Sequence, residues 1–472
     1  MIFIASPNYR EDGLTKKSKF NIAKLDCDCD QYDLFKKLYH HYERTFIFES
    51  LVGPKELSES SIIGFDPKYV ITMNGKKLTV TNRNKKKVYE SSIAEPFSKL
   101  RLLLPHVINK KFRYCGGAVG YVSYEAIELW ENVTSHSTQM KCLFPLLDFG
   151  IYLDGIIFNH SNNTVYYFYV GDKSRQDVVK RIVEDRRLPD DEIRFSYSRP
   201  KSNLTRNQFI KMVNKAKKYV YMGDIFQVVL SRKLKFMLNG DPLTFYQNLR
   251  KINPSPYMYF LKMGRRFIVG SSPEMLLRIT NDCLETFPIA GTRPAAKNTD
   301  ENRRLGQELL NDKKEISEHT MLVDLARNDI GKVSKYGSVK VLELMSVKRF
   351  SHVQHIVSHV SGDLNDNLDA FDAFRALFPA GTVSGAPKVR AMQIINELEP
   401  EPRGPYAGAI GYFSCNGSCD FSITIRSLFL DSKGAYLQAG AGIVFDSAAK
   451  NEWNETQHKL QALLLAMKRS KK

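Results

Sequence analysis

The sequence predicts an α+β protein, on three observations. Apolar and polar residues alternate in short runs, most clearly from Tyr69 to Val80 and from Ile151 to Val170, which is the period of half-buried strands. Apolar residues at helical spacing, such as Phe209, Val213, Ala216 and Val220, mark helices among them. Of the 472 residues, 43% are hydrophobic and 11% aromatic. That content supports a large core and excludes global disorder, and the length suggests two or three domains.

The elements follow in order. The region up to Val170 is strand-rich, with Asn74-Gly75 as a hairpin turn. A charged helical segment, Arg175 to Arg187, ends in the polar stretch Leu188 to Ser202, where Pro189 and Pro200 suggest a boundary. The predicted organisation is therefore a strand-rich region over 1–188, a linker over 189–203 and a second region over 204–472. Thr205 has helix-start character. Strands are expected at Ile225 to Leu234, Tyr257 to Leu261 and Phe267 to Gly270, and one long helix from about Thr299 to Asp329. Strands and helices then alternate until Ser447 opens a last helix, with Leu460, Leu463, Leu464 and Met467 as its core stripe. The sequence shows no internal repeat and no low-complexity tract.

The formal charge of +18 comes from 69 basic and 51 acidic residues. The basic residues are dispersed, apart from short clusters at Lys85 to Lys87 and Lys468 to Lys472, and no nucleic-acid-binding signature accompanies them. A basic nucleic-acid-binding protein stays as the rival from another class, while the positive field suits a dianionic small substrate. Seven cysteines, an odd number, argue against a disulfide framework and for reduced thiols. No apolar run reaches membrane-spanning length, since Leu143 to Phe158 is broken by Asp148 and Asp154. The N-terminus lacks an apolar signal core, so a cytoplasmic enzyme is expected.

The most informative string is P-A-G-T-V-S-G-A-P-K-V-R-A, Pro379 to Ala391. It predicts a sharp turn followed by a helix over Val389 to Leu398, whose unpaired N–H groups favour an anion. Lys388 stands three residues after Gly385 with no Ser or Thr behind it, so P-loop spacing fails. Its companions are P-I-A-G-T-R-P at Pro288, K-E-I-S-E-H at Lys314 leading into L-V-D-L-A-R-N-D, and G-P-Y-A-G-A-I-G-Y at Gly404. S-I-T-I-R-S at Ser422, Q-A-G-A-G-I-V at Gln438 and N-E-W-N-E-T at Asn451 complete the set. Together these strings resemble the large subunit of anthranilate synthase, within the chorismate-utilising enzymes. The resemblance spans nearly the whole chain and is densest from about Asn253 onward. It implies two large packed antiparallel sheets with helices outside, to which both halves of the chain contribute.

Glu315 and Glu318 are three apart, hence about 60° apart on one helix face, and Glu452 and Glu455 repeat the spacing. Each pair alone reads as a solvated face, and Glu455 also suits an ion pair with Lys459. Two pairs brought together would need a cation, and oxygen-only ligands suit Mg²⁺. The resemblance implies that these four glutamates hold a Mg²⁺ that binds the ring carboxylate of chorismate. His352, His355 and His359 lie in a β-branched run, S-H-V-Q-H-I-V-S-H-V, which predicts a strand rather than a zinc-binding helix.

The resemblance assigns His355 to ring aromatisation and pyruvate loss, and leaves His352 and His359 structural. It makes Glu274, in G-S-S-P-E-M, the acid that protonates the departing C4 hydroxyl, a task needing a raised pKa. Thr382 joins these two in the catalytic set. Ala290, Gly291, Thr292, Tyr406, Arg426, Gly440, Ala441 and Gly442 match substrate-binding positions. Arg426 reads as mid-strand in an apolar context, where a bound carboxylate is a sensible partner. Ala290 stands where sister enzymes carry a lysine that acts as nucleophile or activates water. The C2 nucleophile implied is therefore ammonia, which disfavours the alternative, aminodeoxychorismate synthase component I.

F-E-S at Phe48 to Ser50 and N-P-S-P-Y-M at Asn253 to Met258 resemble the halves of a tryptophan feedback site. Glu49 and Ser50 would meet Asn253, Pro254, Ser255, Pro256, Tyr257 and Met258 there, with Glu49 taking the amino group and the prolines, Tyr257 and Met258 enclosing the indole. No cysteine lies in a G-x-C-x-G turn, so a separate glutamine amidotransferase subunit is expected to supply ammonia, making a hetero-oligomer.

Overall fold

Strands whose successive residues are all apolar must bury both faces, and here they do. Phe46, Tyr259 and Ile268 face one core, while their neighbours Ile47, Phe260 and Val269 face another. The computed structural model describes residues 17–27, 30–51, 59–92, 95–133, 144–185, 195–296, 298–350 and 353–470. Among these residues the chain forms two 12-stranded sheets and a two-stranded ribbon. The first core lies between the large sheets, joining Phe46, Ile268 and Phe429 to Val119, Phe149 and Leu277. The second lies outside the first sheet, under helices Gln31–His41, Leu243–Ile252 and Ala449–Ser470. The expected α+β architecture of packed sheets with outer helices is what forms.

Strand order is symmetric in both sheets. In the first, Arg44–Glu49 pairs with Tyr257–Met263 at the centre. Outward lie Ser60–Phe65, Asp154–Asn159 and Thr164–Val170 on one side, and Arg266–Ser272, Ser427–Asp431 and Gly434–Ile443 on the other. In the second, Gly117–Val122 pairs with Ala409–Ser414 at the centre. Leu147–Tyr152, Tyr69–Asn74 and Lys77–Asn82 flank it on one side, Cys419–Ile423, Met275–Thr280 and Cys283–Thr286 on the other. The chain thus repeats a topology that its sequence does not repeat. Strands from both sides of residue 203 fill both sheets.

Most sequence expectations hold to within two or three residues. Gly75 turns the hairpin with φ +55, and Thr205 starts helix Arg206–Tyr221 through a reciprocal capping box with Gln208. The long helix is the exception. It is two helices, Thr299–Asn311 and Lys313–Gly331, because Asp312 breaks the first and caps the second by accepting from the Lys314 and Glu315 N–H groups. Cys115, Cys283, Cys415 and Cys419 are free thiols, whereas Cys27 is disulfide-bonded, against the expectation of reduced thiols throughout. Part of the expected linker, 189–194, lies outside the described residues.

One buried ion cluster ties sheet to sheet. Asp148, in the second sheet, receives Arg44 Nη1 at 2.9 Å and Arg266 Nη2 at 2.6 Å, both from the first. Burial alone would raise the Asp148 pKa, but the two guanidiniums outweigh it and hold the carboxyl below the usual range. That contribution to stability is present above the ordinary Asp pKa of about 3.9 and is lost as pH falls through the lower folded value. Asp148→Ala should cost about 3–5 kcal/mol, because it strands two partly buried cations. A fall in the urea midpoint at unchanged slope measures it.

Candidate functional site

Two chain crossings between the sheets form the centre of the site. Pro273 and Glu274 alone connect Arg266–Ser272 in the first sheet to Met275–Thr280 in the second. Thr424, Ile425 and Arg426 connect Cys419–Ile423 in the second to Ser427–Asp431 in the first. The crossings are stitched together, with the Ile423 N–H on the Glu274 carbonyl at 3.1 Å and the Ser271 N–H on the Arg426 carbonyl at 3.2 Å. Arg426 is therefore not mid-strand. Its apolar neighbours read as one strand, but the chain changes sheets there, and Arg426 has φ +52, a left-handed conformation that is costly outside glycine.

The electrostatics of this centre are unusual for charged side chains. Burial pushes the Glu274 pKa up to about 7, with the Thr382 hydroxyl and the Lys459 ammonium pulling partly the other way. The Thr382 hydroxyl is buried without a well-formed hydrogen bond among the described residues. Both residues line a cavity of about 50 Å³ with Phe287, Leu325 and Ile423. The Arg426 guanidinium has no ion-pair or hydrogen-bond partner among the described residues, and burial lowers its pKa. An unpaired buried cation is a place for an anion.

His355 lies on strand Val353–Asp363, as its β-branched context predicts. Its Nδ1 is 2.7 Å from the Gly291 carbonyl and 3.1 Å from Thr292 Oγ1. A carbonyl only accepts, so Nδ1 carries the proton and Nε2 is the basic nitrogen of the neutral ring. Burial lowers the His355 pKa, with Arg426 and Lys459 acting in the same direction. The imidazole is thus held neutral near pH 7. Gly291 presents its carbonyl from an irregularity in the pairing of Ile289–Pro294 with the histidine strand. Its φ is +63, and a Cβ there would lie 2.8 Å from Leu309 and 3.2 Å from a Glu315 oxygen. Ala290 precedes it, opposite Ile356 and nearly buried.

The four glutamates share one electrostatic neighbourhood. Burial raises the Glu318 pKa, and Glu315 and Glu455 raise it further. Burial likewise raises that of Glu452, with Glu455 adding to it against the Ser447 hydroxyl. Lys459 binds Glu455 at 2.6 Å, and Arg293 lies 3.5 Å from Glu315. Among the described residues no three acidic or imidazole groups converge at ligand distance. Oxygen-only donors are the kind Mg²⁺ takes, usually through one or two carboxylates with several waters kept.

The remaining positions expected to bind substrate lie near these groups. A Cβ at Gly440 would sit 3.0 Å from the Tyr406 hydroxyl, and one at Gly442 would sit 2.7 Å from Gln227 Nε2. Lys459 donates to the Gly440 carbonyl at 2.9 Å. Ala441, between the two glycines, alternates to the other face and is fully buried. Lys459 and Gln227, which bonds Glu318 at 3.4 Å, are further candidates at this site that sequence reasoning missed. Lys459 was visible only as the i+4 partner of Glu455, and nothing in the sequence links Gln227 to a glutamate 91 residues away. Lys388 is buried against Asp329 at 2.5 Å and the Leu377 carbonyl, so it is a structural cation. His359 pairs with Glu285 at 2.9 Å and stacks on Phe287. His352 lies outside the described residues.

The two halves of the expected tryptophan site do meet. Glu49 pairs with Met258 and Phe48 with Tyr259 across adjacent strands. Phe48, Glu49, Ser50, Pro256, Tyr257 and Met258 are among the residues that line a cavity of about 60 Å³. Asn253, Ser255 and Ser271 form a hydrogen-bonded turn behind it. The Glu49 carboxylate departs from the expectation: Tyr246 and Arg250 hold it at 2.5 and 2.8 Å from helix Leu243–Ile252. Strand alternation sends it to the helix side of the sheet, away from Phe48.

The model of the family described as chorismate binding enzyme matches residues 43–465. The chain belongs to that family. The anthranilate synthase component 1 of Methanothermobacter marburgensis is 46% identical over 441 residues, 93% of each chain. That of Saccharolobus solfataricus is 39% identical over 436 residues, covering 92% of this chain and 96% of the relative. The crystal structure of anthranilate synthase component I from Streptococcus pneumoniae TIGR4 superposes with a TM-score of 0.76 at 36% identity, covering 86% of this chain and 92% of that one. The isochorismate synthase MenF from Escherichia coli, at 18% identity and a TM-score of 0.72, shares the fold. Among the described residues no helix of this chorismate binding enzyme is long and apolar enough to cross a membrane.

An acid raised by burial costs stability once it ionises. For Glu274, stability present below the unfolded pKa of about 4.3 is lost as pH rises toward the folded value of about 7. Glu274→Gln removes that loss. Its melting temperature relative to the unsubstituted protein should therefore climb between pH 5 and pH 8, as calorimetry across that range will show.

Proposed function

We propose that this chain is the chorismate-converting component of anthranilate synthase, which turns chorismate and ammonia into anthranilate, pyruvate and water. The observation that supports the reading is that an acid with pKa near 7, Glu274, and a neutral histidine, His355, share Lys459 as a charged neighbour, with the unpaired Arg426 also acting on the histidine. Glu274 in its protonated form gives its proton to the C4 hydroxyl as it leaves, while ammonia adds at C2. His355 then takes the C2 proton through Nε2, the ring becomes aromatic, and the side chain departs as pyruvate. Arg426 and Tyr406 orient an anionic group of the substrate, and the close backbone at Gly440 and Gly442 leaves room for it. Glu315, Glu318, Glu452 and Glu455 would hold Mg²⁺, which when bound anchors the ring carboxylate. Ala290 offers no amine beside His355, which leaves free ammonia as the nucleophile and sets aside aminodeoxychorismate formation.

The buried Cys115 and Cys415 thiols have pKa values raised by burial, the reverse of an activated nucleophile. A separate glutamine amidotransferase therefore supplies the ammonia, within a cytoplasmic hetero-oligomer. With chorismate and Mg²⁺, the pure chain should make fluorescent anthranilate from ammonium salts and none from glutamine. Robust product from glutamine alone would overturn the partner claim. His355→Ala should accumulate the aminated intermediate, visible by chromatography, because elimination stalls.

Tryptophan feedback belongs to the same reading, supported by the cavity between Phe48 to Ser50 and Pro256 to Met258. Since Arg250 already holds Glu49, the ligand amino group must either displace that pair or use other acceptors. Ser50→Phe should abolish tryptophan binding in calorimetry while leaving uninhibited turnover within about twofold, because the added ring fills the cavity.

A further inference from the structure

A large cavity lies away from the proposed catalytic centre. It holds about 740 Å³ and is lined in part by Phe144, Arg199, Lys201, Lys233, Lys433 and Tyr436. That size is in the range of small-molecule sites. It sits at the far end of the strands that carry the catalytic glycines. Lys235 pairs with Tyr436 at the cavity, and Val229 pairs with Gly442 at the catalytic end. The six residues from Tyr436 to Gly442 place the two sites about 20 Å apart.

The charge around the cavity is one-sided. Five basic side chains, Arg199, Lys201, Lys233, Lys235 and Lys433, face one carboxylate, Glu401. Lys235 already holds Glu401 at 2.6 Å. Arg199, Lys201 and Lys433 are exposed and have no side-chain partner among the described residues. Lys233 is different, being 7% exposed. Its ammonium donates to the Pro402 carbonyl at 2.5 Å and lies 4.6 Å from the centre of the Tyr436 ring. No carboxylate pairs with it among the described residues, so a buried cation with three donors has one full hydrogen bond. Burial lowers its pKa even though Glu125, Glu401 and Glu399 attract it from a distance, so the ammonium retains capacity for a closer anion. Phe144, Phe236 and Tyr436 give the cavity an apolar floor.

We infer that this cavity is a second binding site, for a small organic dianion with an apolar body. Two negative charges match the unpartnered rim cations and Lys233, and the apolar body matches the floor. Phosphate monoesters and dicarboxylates share this chemistry. The site is independent of the proposed reaction, because none of its side chains belongs to the catalytic neighbourhood.

Calorimetry with phenyl phosphate, phthalate and inorganic phosphate tests the inference on the whole chain. At least one of the two aromatic dianions should bind at least about tenfold more tightly than inorganic phosphate, and the tighter of them names the phosphate or dicarboxylate class. The double substitution Arg199→Glu with Lys433→Glu should weaken that binding at least about tenfold while anthranilate formation stays unchanged. Both positions are exposed, and far-ultraviolet circular dichroism checks that the fold is retained. The inference is overturned if neither aromatic dianion binds at millimolar concentration. It is equally overturned if inorganic phosphate binds as tightly, or if the charge-reversed protein binds as well as the original.

Discussion

The buried carboxylate of Asp148, shared by Arg44 and Arg266, is the constraint on which the sandwich depends. Two large sheets can slide over an apolar interface at little cost, since hydrophobic burial is not directional. A buried ion cluster is directional. Asp148 belongs to one sheet and both arginines to the other, and the arginines come from opposite halves of the symmetric strand order. The cluster thus fixes sheet against sheet and half against half. Registration of that kind is what a site built from sheet crossings requires, because a shift of a strand by one residue would turn Glu274 or Arg426 to the wrong face.

The symmetry of the strand order makes an internal comparison possible. In the N-terminal half the equivalent crossings run from Phe65 to Tyr69 and from Tyr152 to Asp154, and they are likewise hydrogen-bonded, the Lys68 N–H to the Ile151 carbonyl at 2.8 Å. There the chain neutralises its own charges. Arg175 reaches Asp66 and Asp154, both at 2.6 Å, and Arg83 adds a second contact to Asp66 at 3.0 Å. In the C-terminal half, Arg426 has no partner among the described residues and burial raises the Glu274 pKa to about 7. One topology therefore serves two ends. Where the side chains satisfy one another it is a joint; where they are left unsatisfied, a ligand must complete them.

Legibility in the sequence followed the range of the interaction. Local signals were readable: the capping box at Thr205, the turn at Gly75 and the β-branched strand around His355 each arise from neighbours within a few residues. Asp312 is also local, yet helical periodicity continues on both sides of it and only its side-chain cap reveals the break. The site residues were named through motif resemblance, but their environments were not visible there. Nothing local announces that a strand will change sheets at Arg426, or that Glu49 will spend its charge on Arg250. Partners of that kind are set by topology, which periodicity does not encode.

The same reasoning separates the two kinds of unsatisfied charge in this molecule. At the catalytic centre, unpaired groups lie on backbone crossings whose geometry is over-determined by hydrogen bonds on both sides, so Glu274 and Arg426 are held in place before any ligand arrives. Such preorganisation favours discrimination between a substrate and its transition state. At the basic cavity, only Lys233 is buried and fixed, while Arg199, Lys201 and Lys433 stand on exposed side chains with many rotamers. Ordering those chains would cost entropy on binding. That difference fits the chemistry proposed at the crossings and the reversible anion capture proposed at the cavity.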